Sequence, residues 1–582
     1  MNSIIKYSFV VSALSMAMVS CQDDWDAHYD QNADTKYGKS SLYEVIQSQP
    51  ELSDFCRVLE ATKAFANSKQ TPVTYAELLG NDQFYTVWAP VNGTFNCDSL
   101  VKMCQTSEGD SLVELQFVKN HVARYAHSYN GQNRSVMMLN GKTLAFSGIS
   151  FGDINSAKTN IAARNGVLHT LQTPVAYYYN IFEALVAKPI YQHVGKFLHS
   201  YQIDELDELQ SLAKGIEDGK TVYIDSVFKS KNDLLVDYMY GHIDHEDSTY
   251  WMIVPTPELW DSLYDEAKSF YNYAFIDKAD SVHQRWSHYA LMQDMVFNPN
   301  VQKSIKDSIV STTWTEKQSD RSHTYYRPME NGGLFSSSWS NVEQCSNGMI
   351  YQVDQWPFNK YDTYFRYINV EAEGRIYKFD EKKMSIEYGF SRADSISNNR
   401  YLIVTPTKQQ DAYSVEYELP GVLSGTYDVC VVFLPRNVDP TLPFTDETTA
   451  GKRNQRSAKF SAELTYAGTD GEYYKVTSAN RYSIDPENPQ YYVRSTDKSV
   501  PYLFDCNVNA TAANRAFIND PFKVDTVKLC TFHFPTCNYD QKEITNRLKI
   551  SNAIASNETN KYWNVWFIDR ILLLPHKDQE NN

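Results

Sequence analysis

Apolar and polar positions divide the chain into stretches of different rhythm. An apolar run from Tyr7 to Val19 follows Lys6 and is too short to span a bilayer, so it reads as a signal-peptide core. The run from Tyr85 to Ala89 is β-branched and aromatic, which predicts a buried strand ended by Pro90. Leu112, Leu115, Val118 and Val122 recur at helical spacing, and Asp110-Ser111 with Glu114 predicts a capping box at the start of that helix. Asn165-Gly166 predicts a turn into a strand over Val167–Leu171. From about residue 359 the pattern changes to short strands between Gly, Pro and Asn turns. Tyr413, Val415, Tyr417 and Leu419 alternate with Ser414, Glu416 and Glu418, as a half-buried strand does. Tyr427–Leu434, apolar on both faces, and the nearly continuous apolar run Trp563–Leu574 predict further strands. Strands in this rhythm argue a β-sandwich.

Four blocks of the middle region recur in the same order. Leu42-Tyr43-Glu44-Val45-Ile46 matches Ile181-Phe182-Glu183-Ala184-Leu185, and Tyr85–Pro90 matches Tyr250–Pro255. Phe117–Val122 matches Leu291–Val296, and Asn165-Gly166-Val167-Leu168-His169 matches Asn347-Gly348-Met349-Ile350-Tyr351. The separation between matched blocks grows steadily along the chain. Preserved order with growing separation predicts two copies of one fold, the second carrying insertions.

The first copy carries motifs of a known family. Thr86-Val87-Trp88-Ala89-Pro90 through Phe95 resembles the opening motif of the fasciclin domain, Asn120-His121-Val122 its central histidine motif, and Asn165-Gly166-Val167-Leu168-His169 its last. The family residues that this carries over are Thr86, Pro90, His121, Asn165, Gly166 and His169. The second copy departs from the pattern, with Met295 in the place of His121 and Tyr351 in that of His169. The resemblance implies a compact β-sandwich edged by helices and a role in adhesion. In the C-terminal third, Gly425-Thr426-Tyr427 and Phe567-Ile568-Asp569-Arg570-Ile571 resemble the galactose-binding-like jelly roll, a fold shared by many carbohydrate-binding modules. The expected organisation is an α+β multidomain chain. A signal peptide (1–20) and an acylated cysteine with its tether (21–40) precede two fasciclin-like domains (41–179 and 180–358, the second divergent). A jelly-roll-like all-β sandwich (359–582) closes it.

The N-terminus gives an address. Ala17-Met18-Val19-Ser20-Cys21 resembles a lipobox, which implies cleavage before Cys21 and acylation of that residue. Several acyl chains together make a stable anchor where one does not. Gln22-Asp23-Asp24 and Asp26 resemble the acidic export signal of gut-commensal lipoproteins, placing the chain on the outer face of a Gram-negative outer membrane. Resemblance to lipoproteins of nutrient-uptake systems implies an outer-membrane transporter as neighbour, with outer-membrane lipid and glycan as the other expected partners.

Charge narrows the function. The 582 residues carry 54 Lys and Arg against 71 Asp and Glu, a formal net charge of -17 that disfavours nucleic-acid partners. No GxSxG elbow, HExxH motif or P-loop occurs, so no enzyme is expected, and no cofactor. No CxxC pair occurs among the nine cysteines. Cys97 with Cys104 and Cys530 with Cys537 are spaced for local disulfides, and buried free thiols are the equal alternative. His242, Asp244, His245, Glu246 and Asp247 form the densest group of metal-ligating types, read as a solvated acidic loop rather than a metal site. The binding candidates are aromatics beside turns, because flat rings stack on sugar faces. These are Tyr491 and Tyr492, after Asp485-Pro486-Glu487-Asn488-Pro489, and Tyr562 and Trp563, after Asn560-Lys561. Surface binding or adhesion, with glycan capture foremost, is the expected function. A purely structural adhesion protein is the alternative.

Overall fold

Every position of the strand Tyr85–Pro90 is buried, as its β-branched and aromatic make-up requires. Pro90 does not end the strand but belongs to it, opposite Leu171. The strand runs parallel to Gly166–Leu171 and antiparallel to Val122–Arg124. Ile154–Ala163, Ser150–Phe151, Thr143–Phe146 and Arg134–Met137 complete a seven-stranded sheet. The sheet curls around Trp88, which is fully buried and stacks on Phe151 and His169 at 4.2 and 5.2 Å.

The second unit repeats this frame. Tyr250–Pro255 runs parallel to Gly348–Val353 and antiparallel to Val296–Asn298, within a six-stranded sheet. The registers coincide: Tyr85 faces Gly166 as Tyr250 faces Gly348, and Val87 faces Val122 as Met252 faces Val296. His121 and Met295 therefore occupy one place in the fold, and so do His169 and Tyr351. Each unit opens with a helix, Leu42–Gln47 or Ile181–Ala187. Each helix starts in a reciprocal capping box, Ser41 with Glu44 and Asn180 with Glu183.

This computed structural model describes residues 38–577 except 67–68, 207–211, 218–219, 226–227, 274–278, 300–306, 317–320, 337–338, 394, 409–411, 439–454, 490 and 509–514. Cys21, the leader and most of the tether lie outside the described residues. The helix expected from Asp110 onward begins earlier, at Ser107, and its N-cap is Thr106. Asp110 and Glu114 are instead buried and take backbone N–H groups of Lys63 and Phe65. Leu112, expected on the core face, is exposed and Val113 is buried instead, while Val118 and Val122 are buried as expected. All eight described cysteines are free thiols, so neither local disulfide forms.

The C-terminal part is a sandwich of two antiparallel sheets. One orders Met384–Phe390, Arg400–Pro406, Trp566–Pro575, Gly425–Phe433 and Asp525–Phe534, with Ile368–Glu371 added beside Trp566–Pro575. The other orders Ile376–Phe379, Ser414–Glu418, Arg547–Asn552, Lys459–Ala467 and Tyr473–Thr477, with Phe517–Ile518 added beside Lys459–Ala467. Aromatic pairs bridge the sheets: Phe433 stacks on Phe460 at 4.7 Å, and Tyr466 meets Phe532 at 5.0 Å. The sandwich shares one hydrophobic core with the second unit, through Phe270 on Phe365 and Trp286 on Tyr539. The chain is thus α+β and multidomain: two copies of one helix-and-sheet unit followed by an all-β sandwich.

Candidate functional site

The turn-rich stretch from Asp485 to Pro489 closes a hairpin between Arg481–Ile484 and Tyr492–Ser495, with Ile484 opposite Tyr492. Asp485 shapes the turn: its Oδ1 accepts the Glu487 N–H at 2.9 Å, and its own N–H donates to the Tyr491 carbonyl at 2.9 Å. A second hairpin, Lys459–Ala467 with Tyr473–Thr477, turns through Gly468–Gly471 and lies alongside. The Tyr492 N–H donates to the Tyr466 hydroxyl at 3.3 Å and ties the two hairpins together.

A cleft of about 420 Å³ opens where the hairpins meet, walled by Tyr474, Tyr491 and Tyr492 and rimmed by Asp470, Asp485 and Asn488. Tyr474 and Tyr491 stack at 4.9 Å, and Tyr492 rests one face on Phe532 at 4.9 Å. The Tyr491 hydroxyl bonds Thr469 Oγ1 at 2.8 Å and accepts the Asp470 N–H at 3.2 Å. The Tyr474 hydroxyl donates to the Asp470 carboxylate, and that bond holds Asp470 below the usual carboxylate range. Half-buried rings whose polar tips are already oriented, beside acceptor-rich carboxylates, suit a ligand with an apolar face and many hydroxyl donors.

Tyr491 and Tyr492, singled out beside their turn, both line this cleft. Tyr474 and Asp470, which sequence reasoning did not select, come from the neighbouring hairpin; the signal was the Tyr473-Tyr474 doublet just after a Gly-rich turn. The other pair fares differently. Tyr562 is 7% exposed, with the Lys459 ammonium 5.2 Å from its ring, and does not line the cleft. Trp563 is half-buried under the Arg436 guanidinium at 4.1 Å and edges a crevice of about 10 Å³, room for a single water.

The residues of the three motifs singled out in the first unit serve the fold. His121 Nδ1 lies 2.7 Å from the Phe117 carbonyl, and its Nε2 accepts the Val175 N–H at 3.0 Å. His169 Nε2 lies 3.0 Å from the His127 carbonyl, and its Nδ1 accepts the Asn160 N–H at 3.3 Å. Burial pushes both imidazoles down to about 4, so each is neutral and fully engaged. Thr86 Oγ1 donates to the Tyr125 carbonyl at 2.7 Å and accepts the His127 N–H at 2.8 Å. Asn165 Oδ1 accepts the Leu42 N–H at 2.6 Å, while its Nδ2 donates to the Leu79 and Asn81 carbonyls.

One buried carboxyl in the sandwich is also perturbed. Asp569, fully buried in the last strand, accepts the Ser397 N–H at 3.1 Å through Oδ1, while its Oδ2 has no hydrogen bond. Arg570 Nε lies 3.5 Å from that oxygen. Glu371 Oε2 and Glu373 Oε2 are likewise shielded and unbonded. Burial above all pushes Asp569 up to about 7, Arg570 opposing and the two glutamates adding to it.

No protein-family model matches the chain, and no curated protein matches it. Solved structures similar to parts of it include a FAS1 domain pair from the insect cell adhesion molecule fasciclin I. That likeness has 11% identity and a TM-score of 0.16, covering 48% of this chain and 90% of that one. A xylan-binding domain of carbohydrate-binding module family 22 is similar at 12% identity and a TM-score of 0.17, covering 36% and 96%. A Paenibacillus xanthan lyase is similar at 11% identity and a TM-score of 0.19, with this chain covering 13% of it.

Proposed function

We propose that this chain is a surface lipoprotein that captures neutral glycans in the tyrosine cleft of its C-terminal sandwich. Acylated Cys21 anchors it in the outer membrane, facing the exterior beside a nutrient transporter. The observation that carries the reading is the cleft itself: three tyrosines, two of them with fixed hydroxyls, around about 420 Å³, rimmed by Asp470, Asp485 and Asn488. Carboxylate acceptors favour hydroxyl donors and repel uronates and sulfates, and the net charge of -17 works the same way.

The test is a glycan array with the full chain, followed by calorimetry on the best ligand. Saturable binding to neutral oligosaccharides is expected, weakened about tenfold by Tyr491→Ala, the loss of one stacking face. Preference for uronate-rich chains, or affinity untouched by Tyr491→Ala and Tyr474→Ala, would remove the cleft from consideration. Absence of any glycan affinity would favour protein adhesion through the first unit, where Tyr125, Met137 and Ile149 are exposed.

A further inference from the structure

In the second unit the segment Ile243–His245 lies where Leu79–Asn81 lies in the first, and the fold grips both in the same way. Asn347 Nδ2 donates to the Ile243 and His245 carbonyls, each at 2.8 Å, as Asn165 Nδ2 does to those of Leu79 and Asn81. Asn180 Nδ2 donates to the Asp244 carbonyl at 3.2 Å, the His242 N–H donates to the Tyr250 hydroxyl at 3.2 Å, and the His245 N–H donates to the His242 carbonyl at 3.1 Å. The backbone of this loop is therefore held by three side chains from outside and by one turn of its own, and its side chains start from fixed positions. The first unit has Gly80 and Asn81 here and offers no imidazole.

We propose that His242, Asp244 and His245 form a site for a late first-row divalent cation, zinc foremost, at the junction of the two units. One donor atom from each residue lies within 4.8 Å of the others, a spacing that small side-chain rotations close around an ion with bonds of about 2.1 Å. Two imidazoles and one carboxylate are a borderline-soft donor set that selects zinc over calcium or magnesium. Asp244 Oδ2 lies 3.7 Å from His245 Nε2, the two imidazole rings lie 5.2 Å apart, and Asp244 Oδ1 is shielded from solvent without a hydrogen-bond partner. His245 is more than half exposed, which leaves the fourth position to water and the site open to loading. The next residue, Glu246, reaches across the junction to Lys142 of the first unit at 2.6 Å. Metal bound at the loop therefore also stiffens the seat of that cross-unit ion pair.

The full chain, freed of metal by a chelator and carrying no histidine tag, is titrated with zinc chloride in excess calcium chloride, so that the carboxylate group around Asp569 is not what the titration reads. One zinc per chain is expected, with at least tenfold weaker binding in His245→Ala and in Asp244→Asn, neither of which changes the metal-free melting temperature. X-ray absorption on the zinc-loaded wild-type chain gives a reading that needs no variant: two imidazole nitrogens in the first coordination shell. Absence of binding at high micromolar zinc, a shell containing thiolate sulfur, or unchanged affinity in both variants would overturn the proposal.

Discussion

The Lys142 ammonium of the first unit lies 2.8 Å from the Glu183 carboxylate of the second, with only 5% of the lysine side chain exposed. Glu246 at 2.6 Å and Ser346 at 3.1 Å complete its shell. Glu183 has a second duty, since the same oxygen accepts the Asn180 N–H that starts its helix. One buried cation thus neutralises two carboxylates and orients a helix start across the boundary between copies. Lys142→Met leaves both carboxylates without their partner, and a loss of about 3 kcal/mol is expected. Urea unfolding followed by hydrogen exchange in residues 180–200 measures it. A loss under about 0.5 kcal/mol would mean that the lysine is effectively solvated.

Gly166 and Gly348 admit no side chain. A Cβ on either would lie 1.9 Å from the Tyr85 carbonyl oxygen or 1.7 Å from that of Tyr250, and φ is +153° and +148°. Both glycines hold the first register position of the parallel strand pair, so any displacement travels along the central strands. Gly166→Ala and Gly348→Ala are each expected to cost more than about 3 kcal/mol. Thermal melts of the two variants decide it, and a wild-type melting temperature in either would contradict the close approach.

These glycines also show why the repeat was legible. Asn-Gly before a strand, and a β-branched run ending in Pro, are residue types that the backbone itself demands, so they persist where the packing residues have changed. Asp110 and Glu114 were misleading for the opposite reason. A carboxylate near a helix start reads as a cap, yet here both turn inward to take N–H groups from the strand Lys63–Ala66, a partner set by tertiary structure. The cleft divides in the same way. Tyr491 and Tyr492 stand beside a turn visible in the sequence, whereas Tyr474 reaches them only through the pairing of another hairpin. Tyr562 also follows a turn, but Lys459 covers its ring, and no local pattern announces that.

Acid should loosen the first unit through His121 and His169, while in the second unit burial lowers His193 and His288 at other places in the fold. His121 and His169 are held neutral with pKa pushed down from 6.5 to about 4, burial being the larger cause in each. The unfolded chain takes up these protons near pH 6.5 and the folded chain only near 4. Their contribution is therefore complete above pH 6.5 and is lost as the pH falls toward 4, with a ceiling of about 3 kcal/mol each. Met295 and Tyr351 hold the matching places in the second unit and do not titrate in this range. His121→Met is expected to lower stability at pH 7.5, where it forfeits two hydrogen bonds, yet to flatten the decline between pH 6.5 and 4.5. Urea midpoints across that range provide the comparison; parallel slopes for variant and wild type would show that the imidazole is not kept neutral.

Asp569 should cost the sandwich stability as the pH rises. Its carboxyl is fully buried, with Oδ1 accepting the Ser397 N–H and Oδ2 unbonded. Burial above all pushes its pKa from 3.8 up to about 7, with Arg570 opposing and Glu371 and Glu373 adding to the rise. Between about pH 4 and 7 the carboxyl is protonated in the fold and ionised in the unfolded chain, so stability falls as the pH rises through that window. Asp569→Asn keeps a neutral group of nearly the same shape. It should flatten that fall and leave the variant at least as stable as wild type at pH 7.5. Urea midpoints at pH 5 and 7.5 provide the comparison. A variant less stable than wild type at pH 7.5 would mean that the ionised carboxylate is satisfied by the Ser397 N–H and Arg570.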